Sequence, residues 1–220
     1  MKELAIIGTT ASGKTALSLE IANKTNSIIL SLDSLCVYKE IDIASAKPTK
    51  IERGDIVHFG IDEVFPNEKF DVVSFLNLYK NAKEYAEKNM KNLIIVGGTG
   101  FYLKALVDGI SDGLKENTNL DMCLNDAYNL LYSLDKEYMQ KIEPKDKYSG
   151  LAPSQYFLKN PKIALSPNLP IFEILWEKDE LTNRISLRTK QMIKAGLIDE
   201  TIYLEKKYTR APNCMSSIGI

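Results

Sequence analysis

The sequence is poor in the side chains that most often announce chemistry. It has one histidine, His58, and three cysteines, Cys36, Cys123 and Cys214, in 220 residues. A lone histidine cannot supply a histidine ligand set, and three scattered thiols without a C-x-x-C pair make neither a disulfide framework nor a cysteine zinc site. Charge of one sign is also missing. The 28 basic and 29 acidic side chains leave a net charge of -1, so the whole surface lacks the footprint of a dedicated nucleic-acid binder, and any RNA contact must come from a local patch. No apolar run approaches a membrane-spanning length, and Leu4 to Ile7 is too short for a signal sequence. Internal repeats and low-complexity tracts are absent as well. The expectation is a cytoplasmic protein in a reducing compartment, with no membrane partner.

What is there is an alternation of buried-strand and helix patterns. Apolar side chains make up 45% of the chain, enough for one full core and a small appended lobe. Leu4 to Ile7, Ile28 to Leu32, Asn92 to Val96 and Ile171 to Trp176 read as short strands, the first as a continuously apolar run of the kind buried in a parallel sheet. Between them, helical spacing appears in Ala16, Leu17, Leu19, Ile21 and Ala22, and again in Phe75, Leu78, Tyr79, Ala82, Tyr85 and Ala86. Asp179 is placed to cap a long helix over Glu180 to Lys207 that breaks near Gly196. This order predicts an α/β fold with a parallel sheet flanked by helices. Residues 1–110 and 161–220 are assigned to the core, and the polar stretch 111–160, with a helical pattern around Leu120 to Lys141, to a helical insertion. Trp176, at the end of its strand, and the Phe75 to Tyr85 aromatics read as core packing. His58, among apolar neighbours, reads as structural or substrate-adjacent. Lys136, Lys141, Lys145 and Lys147 are interleaved with acids and read as a solvated face.

One segment carries chemistry outright. Gly8-Thr9-Thr10-Ala11-Ser12-Gly13-Lys14-Thr15 matches G-x-x-x-x-G-K-[ST] in full, between a buried strand and a helix. Its glycines let backbone N–H groups converge on phosphate oxygens, Lys14 neutralises charge, and the Thr15 hydroxyl is a Mg²⁺ ligand. Asp33 ends the second strand of the same sheet, where parallel sheets open into their ligand crevice. A carboxylate there holds Mg²⁺ through water, accepts a proton from an incoming nucleophile, or caps a turn. The Leu93 to Val96 strand ends in Gly97-Gly98-Thr99-Gly100 with no carboxylate, which argues against nucleotide hydrolysis and for departure of a pyrophosphate as another group attacks. Arg184 and Arg188, four apart on a helix, project from one face and can grip a pyrophosphate or remain solvated.

The loop, the runs Asp33-Ser34-Leu35-Cys36-Val37-Tyr38, Asp42-Ile43-Ala44-Ser45-Ala46-Lys47-Pro48 and Gly97-Gly98-Thr99-Gly100-Phe101-Tyr102, and the later blocks Arg184 to Arg188, Ala195 to Glu200 and Ser217-Ile218-Gly219 together resemble the tRNA dimethylallyltransferase (IPP transferase) family over most of the chain. The resemblance implies a P-loop NTPase-like fold and a Mg²⁺-assisted monomer. Such an enzyme moves dimethylallyl from dimethylallyl pyrophosphate to the exocyclic N6 amine of the adenosine immediately 3′ of the anticodon. It implies Asp33 as the base that hydrogen-bonds that amine, Thr10 and Arg188 as pyrophosphate contacts, and Lys14 and Thr15 in their phosphate and Mg²⁺ roles. The family's contacts to the flipped-out nucleotide fall on Asp33, Ser34, Leu35, Cys36 and Thr99. Two departures stand out. Cys36 occupies the place of a base-reading glutamine, and a thiol is a weak donor and acceptor. After Tyr148 the chain runs directly into Ser149-Gly150-Leu151 where the family continues into an arginine-bearing helix, so the tRNA-gripping insertion is expected to be incomplete. An ATP-using small-molecule kinase and a prenyltransferase for free adenine nucleotides remain rival readings of the same loop, and a nucleotide-sensing switch without turnover is a third.

Overall fold

The computed structural model describes residues 1–109 and 164–216. The expected insertion over 111–160, its helix and its lysines lie outside them, as does Ser217-Ile218-Gly219. By contacts the chain divides into one unit of Met1–Ala105 with Asn168–Ile220 and another of Leu106–Pro167. In the second, the Leu106 carbonyl accepts the amides of Leu165 and Ser166 at 3.1 and 3.0 Å.

The first unit is built on a five-stranded, all-parallel sheet in the order β3-β2-β4-β1-β5. Its strands are β1 (Glu3–Gly8), β2 (Ser27–Ser31), β3 (His58–Phe59), β4 (Asn92–Gly97) and β5 (Ile171–Ile174). The helices are α1 (Lys14–Thr25), α2 (Lys50–Arg53), α3 (Val72–Lys88), α4 (Gly100–Asp108), α5 (Lys178–Ala195) and α6 (Leu197–Tyr208), followed by a short 3₁₀ turn, Asn213–Ser216.

Side chains alternate across a strand, so one sheet has two apolar faces to cover. Ile6, Ile29 and Ile94 pack with Ala22 of α1, and Leu19, Ile21 and Val96 close around them. The intervening residues Ala5, Ile28, Leu30, Leu93 and Ile95 are equally buried. Right-handed crossovers running in opposite directions put α1 and α3 on opposite faces. The inward stripe of α3 is Phe75, Leu76, Tyr79, Ala82 and Ala86. Asp71 caps that helix, its Oδ1 accepting the Ser74 amide at 2.9 Å.

Local differences from the sequence reading have simple causes. In α1 it is Ser18, with Ala22, that is buried, while Leu17 is exposed, because the helix lies over the sheet on its 18–22 stripe. β2 ends at Ser31, one residue short of Leu32, whose amide still bonds the Val96 carbonyl at 2.7 Å. Glu177, not Asp179, is the N-cap residue of α5, and Asp179 sits inside the first turn. The break near Gly196 is real: its φ of 104° is the left-handed conformation that ends α5 and opens α6. Trp176 lies beyond β5 and is 40% exposed, so it is not a core residue. Its strand is an edge strand bonded to β1 alone. No helix among the described residues is long and apolar enough to cross a membrane.

Candidate active site

At the carboxyl ends of β1, β2 and β4, where ligands of parallel sheets gather, lies a cavity of about 320 Å³. That volume suits a small ligand. The loop contributes Gly8, Thr9, Thr10, Lys14 and Thr15 to its lining; Asp33 and Cys36 come from beyond β2, Gly97 and Gly98 from the end of β4, and Arg188 from α5.

The loop owes its shape to two left-handed residues, Ala11 (φ 59°) and Gly13 (φ 92°). Gly13 is also the N-cap of α1, and neither a capping side chain nor an acid in the first turn competes for the helix's leading N–H groups. Those amides and the positive end of the helix dipole favour an anion. Lys14 Nζ bends over the loop to the carbonyls of Gly8 (2.8 Å) and Thr9 (2.6 Å). Burial and, next, the nearby Arg188 cation lower its pKa, and Asp33 pulls the other way. Arg188 and Asp33, which line the same cavity, therefore both act electrostatically on Lys14.

Of the things its position allowed, Asp33 caps a turn. Its Oδ1 accepts the amides of Leu35 (2.8 Å) and Cys36 (3.2 Å), which turns the chain after β2. No hydrogen bond to Oδ2 is recorded among the described residues, so the carboxylate faces the cavity with one oxygen uncommitted. The chain reaches this point because β4 ends without a side chain. A Cβ built on Gly97 would lie 2.5 Å from the Leu32 carbonyl oxygen. The Thr99 amide bonds that same carbonyl at 3.2 Å.

Ser34, Leu35 and Thr99 do not line the cavity. Ser34 is exposed, and Leu35 packs on the cluster around Val37, Ile41 and Leu204. Cys36 does line it, but as a buried group whose thiol contacts the Ser45 carbonyl at 3.7 Å. Burial first, then the Asp33 charge, push that thiol up to about 12, so it stays protonated. Arg184 stands over the loop rather than in the cavity, with Nε donating to the Ala11 carbonyl at 2.8 Å. Ala11, Ser12 and Gly13 form the loop's outer arc.

Ile29, Ser31 and Ile61 line the cavity without any signal in sequence, and with them His58, whose sequence context reads as structural or substrate-adjacent. Burial lowers the His58 pKa, the Ile56 carbonyl bonded to Nδ1 at 2.8 Å opposes that, and Arg53 adds to the lowering. Ala46 and Pro48 close another side, and their segment is held from α6. There the Glu200 carboxylate accepts the amides of Asp42, Ile43 and Ala44 at 2.8–3.0 Å. Lys47, its side chain 5% exposed, ties Asp42 (2.8 Å) to Asp62 (2.7 Å) beneath it. Both blocks, Asp42 to Pro48 and Ala195 to Glu200, figured in the family resemblance, without a role for either.

For Mg²⁺ the donor set present is the Thr15 hydroxyl and the Asp33 carboxylate, both hard oxygens of residues that line the cavity. No cluster of three acidic, histidine or cysteine side chains among the described residues offers a complete protein cage. Mg²⁺ usually binds with a few protein oxygens and completes its shell with water and substrate phosphates, so the residues fit it.

Comparison with known proteins adds a family to this geometry. The model of the family described as IPP transferase matches residues 36–220. The tRNA dimethylallyltransferase of Aliarcobacter butzleri is 70% identical over the whole chain, which covers 79% of that protein, and the one from Sulfurimonas denitrificans is 49% identical, with 80% covered. Among solved structures, the full-length tRNA isopentenylpyrophosphate transferase of Bacillus halodurans superposes with a TM-score of 0.73 at 28% identity, over 99% of this chain and 74% of that one. A eukaryotic dimethylallyltransferase acting on tRNA shares the fold at a TM-score of 0.81 and 24% identity, over 96% of this chain and 57% of that one. With a phosphate loop, a strand-end carboxylate and an arginine converging on one cavity, and relatives this similar over nearly its full length, the chain belongs to the IPP transferase family.

Proposed function

We propose that this protein transfers the dimethylallyl group of dimethylallyl pyrophosphate to the N6 amine of the adenosine 3′ of the anticodon in tRNA, releasing pyrophosphate. The observation that carries the reading is the meeting of Lys14, Thr15, Arg188 and Asp33 around one cavity, with a glycine strand end between loop and carboxylate.

In this reading the phosphate loop, Thr10, Lys14, Arg184 and Arg188 bind the pyrophosphate and stabilise the charge that grows on it as the carbon–oxygen bond breaks. Asp33 accepts a proton from the amine as nitrogen bonds to the allylic carbon. Thr15, with Asp33 through water, would hold a Mg²⁺ ion, which supplies further neutralisation of the pyrophosphate when bound. The flipped adenosine is received on the Asp33 side, with Ser34, Leu35, Cys36 and Thr99 as the neighbouring tRNA contacts. Because the Cys36 thiol is buried and protonated, base reading at that position falls to backbone groups. The tRNA-gripping role is assigned to the insertion over 111–160. The enzyme is proposed to work as a monomer in the cytoplasm; the two described cysteines, Cys36 and Cys214, are free and buried, consistent with a reducing compartment.

The test is incubation with radiolabelled dimethylallyl pyrophosphate, Mg²⁺ and unmodified tRNA, in parallel with AMP, and with ATP plus candidate acceptors. Label in tRNA is the expected result. Label in AMP alone would move the protein to the free-nucleotide prenyltransferases, and ATP turnover without prenyl transfer would make it a kinase.

A further inference from the structure

We infer that Trp176 is a positioning residue for the phosphate loop, acting together with Arg184 as a two-point clamp that holds the loop's backbone so that the Gly13 amide is presented to the donor pyrophosphate. The inference rests on the proposed donor and deepens it.

Trp176 is the only tryptophan in the chain and lies 164 residues from the loop in sequence. Its indole Nε1 donates to the Ser12 carbonyl at 2.9 Å. The guanidinium of Arg184 lies over its ring, 4.1 Å from the centroid, while Arg184 Nε donates to the Ala11 carbonyl at 2.8 Å. Two consecutive loop carbonyls are thus held by two side chains that stack on each other.

The consequence follows from peptide geometry. In a trans peptide the C=O and the N–H of the next residue point in opposite directions. Holding the Ala11 and Ser12 carbonyls on Arg184 and Trp176 therefore turns the amides of Ser12 and Gly13 to the other side. The Ser12 amide points back across the loop to the Thr9 carbonyl, at a long 3.3 Å. The Gly13 amide opens α1, where an anion is favoured. Ala11 has a left-handed φ of 59° although it bears a Cβ, a conformation that costs free energy and persists only when its surroundings impose it. The clamp bonds its carbonyl.

The stack also fixes the arginine. An indole face attracts a guanidinium and restricts its plane. With Nε spent on Ala11, the outer guanidinium nitrogens stay beside the start of α1: a Cβ on Gly13 would lie 3.6 Å from Nη2. Trp176 in this way orients a charge near the pyrophosphate without touching the ligand.

The experiment compares wild-type enzyme with Trp176→Phe, which keeps a ring and loses the N–H, Trp176→Leu, which loses both, and Arg184→Lys, which keeps the charge but loses the planar stack. Binding of inorganic pyrophosphate with Mg²⁺ is read by calorimetry, and KM for donor and tRNA and kcat by steady-state labelling. Trp176 lies outside the core, so all variants are expected to fold; circular dichroism checks this. The loss of one hydrogen bond predicts about 3- to 5-fold weaker pyrophosphate binding in Trp176→Phe, and the loss of bond and stack about 10-fold or more in Trp176→Leu. Donor KM should rise in parallel while tRNA KM is unchanged, and Arg184→Lys should weaken pyrophosphate binding although it keeps the charge. Pyrophosphate binding by Trp176→Leu within 2-fold of wild type, or equal rises in donor and tRNA KM, would overturn the clamp while leaving tRNA labelling, and so the transferase reading, intact. Failure of the wild-type protein to bind pyrophosphate would overturn both.

Discussion

Asp33 has a structural task and, in the proposed reaction, a chemical one on the same carboxylate, and the two can be separated. An asparagine side chain at this position would still offer an oxygen to the amides of Leu35 and Cys36, so Asp33→Asn should keep the turn after β2 and remove only the proton acceptor. The expected result is pyrophosphate binding close to wild type with turnover lower by about two orders of magnitude or more, measured by calorimetry and by tRNA labelling. Unchanged turnover would remove Asp33 from the chemistry. Lys14→Ala should differ in kind, weakening donor binding and rate together, because its charge serves the bound pyrophosphate before and during departure. The loop's place at the cavity was legible in sequence because a phosphate loop is a local object: eight consecutive residues carry it. The acceptor side was less legible. The sequence leaves His58 structural or substrate-adjacent, and only the pairing of the short strand β3 with β2 places it against Ile29 and the cavity.

Elements meet the site through contacts that no window of sequence contains. The apolar run ending at Trp176 announced a strand correctly, but hydrophobic pattern alone does not separate a central strand from an edge strand, and β5 proved to be an edge. Its last aromatic was therefore free to reach the phosphate loop. Glu200 is another such contact: one carboxylate on α6 collects three successive amides about 156–158 residues away. Glu200→Gln puts an amide N–H where an acceptor is needed, and should cost about 1–3 kcal/mol. In a thermal unfolding experiment this is a Tm lower by roughly 2–4 °C per kcal/mol for a chain of this size. A Tm within about 1 °C of wild type would show that the 42–48 segment does not depend on the bond. Gly97→Ala tests a steric need instead. The added methyl meets the Leu32 backbone, which cannot swing aside, so a loss of about 1–3 kcal/mol is expected by the same measurement.

At the level of the whole molecule, stability should respond to pH through a single imidazole. His58 is the only histidine, and its folded pKa lies below the ordinary value because it is buried. As pH falls through about 6.5 the unfolded chain takes up this proton first, so stability present above that pH is lost on the way down to the folded pKa. Urea unfolding at pH 7.5 and 5.5 should show a smaller drop for His58→Gln than for wild type; equal drops would assign the dependence to other groups. The sheet order has a larger consequence. β4 lies between β1, which delivers the phosphate loop, and β2, which delivers Asp33. Neighbouring strands are about 4.8 Å apart, so the phosphate loop and Asp33 leave the sheet two strand widths, roughly 10 Å, from each other. For the proposed reaction the fold thus acts as a ruler. It sets the span that a short allylic chain and an incoming amine must share, and the length of that span is written in backbone hydrogen bonds rather than in any side chain.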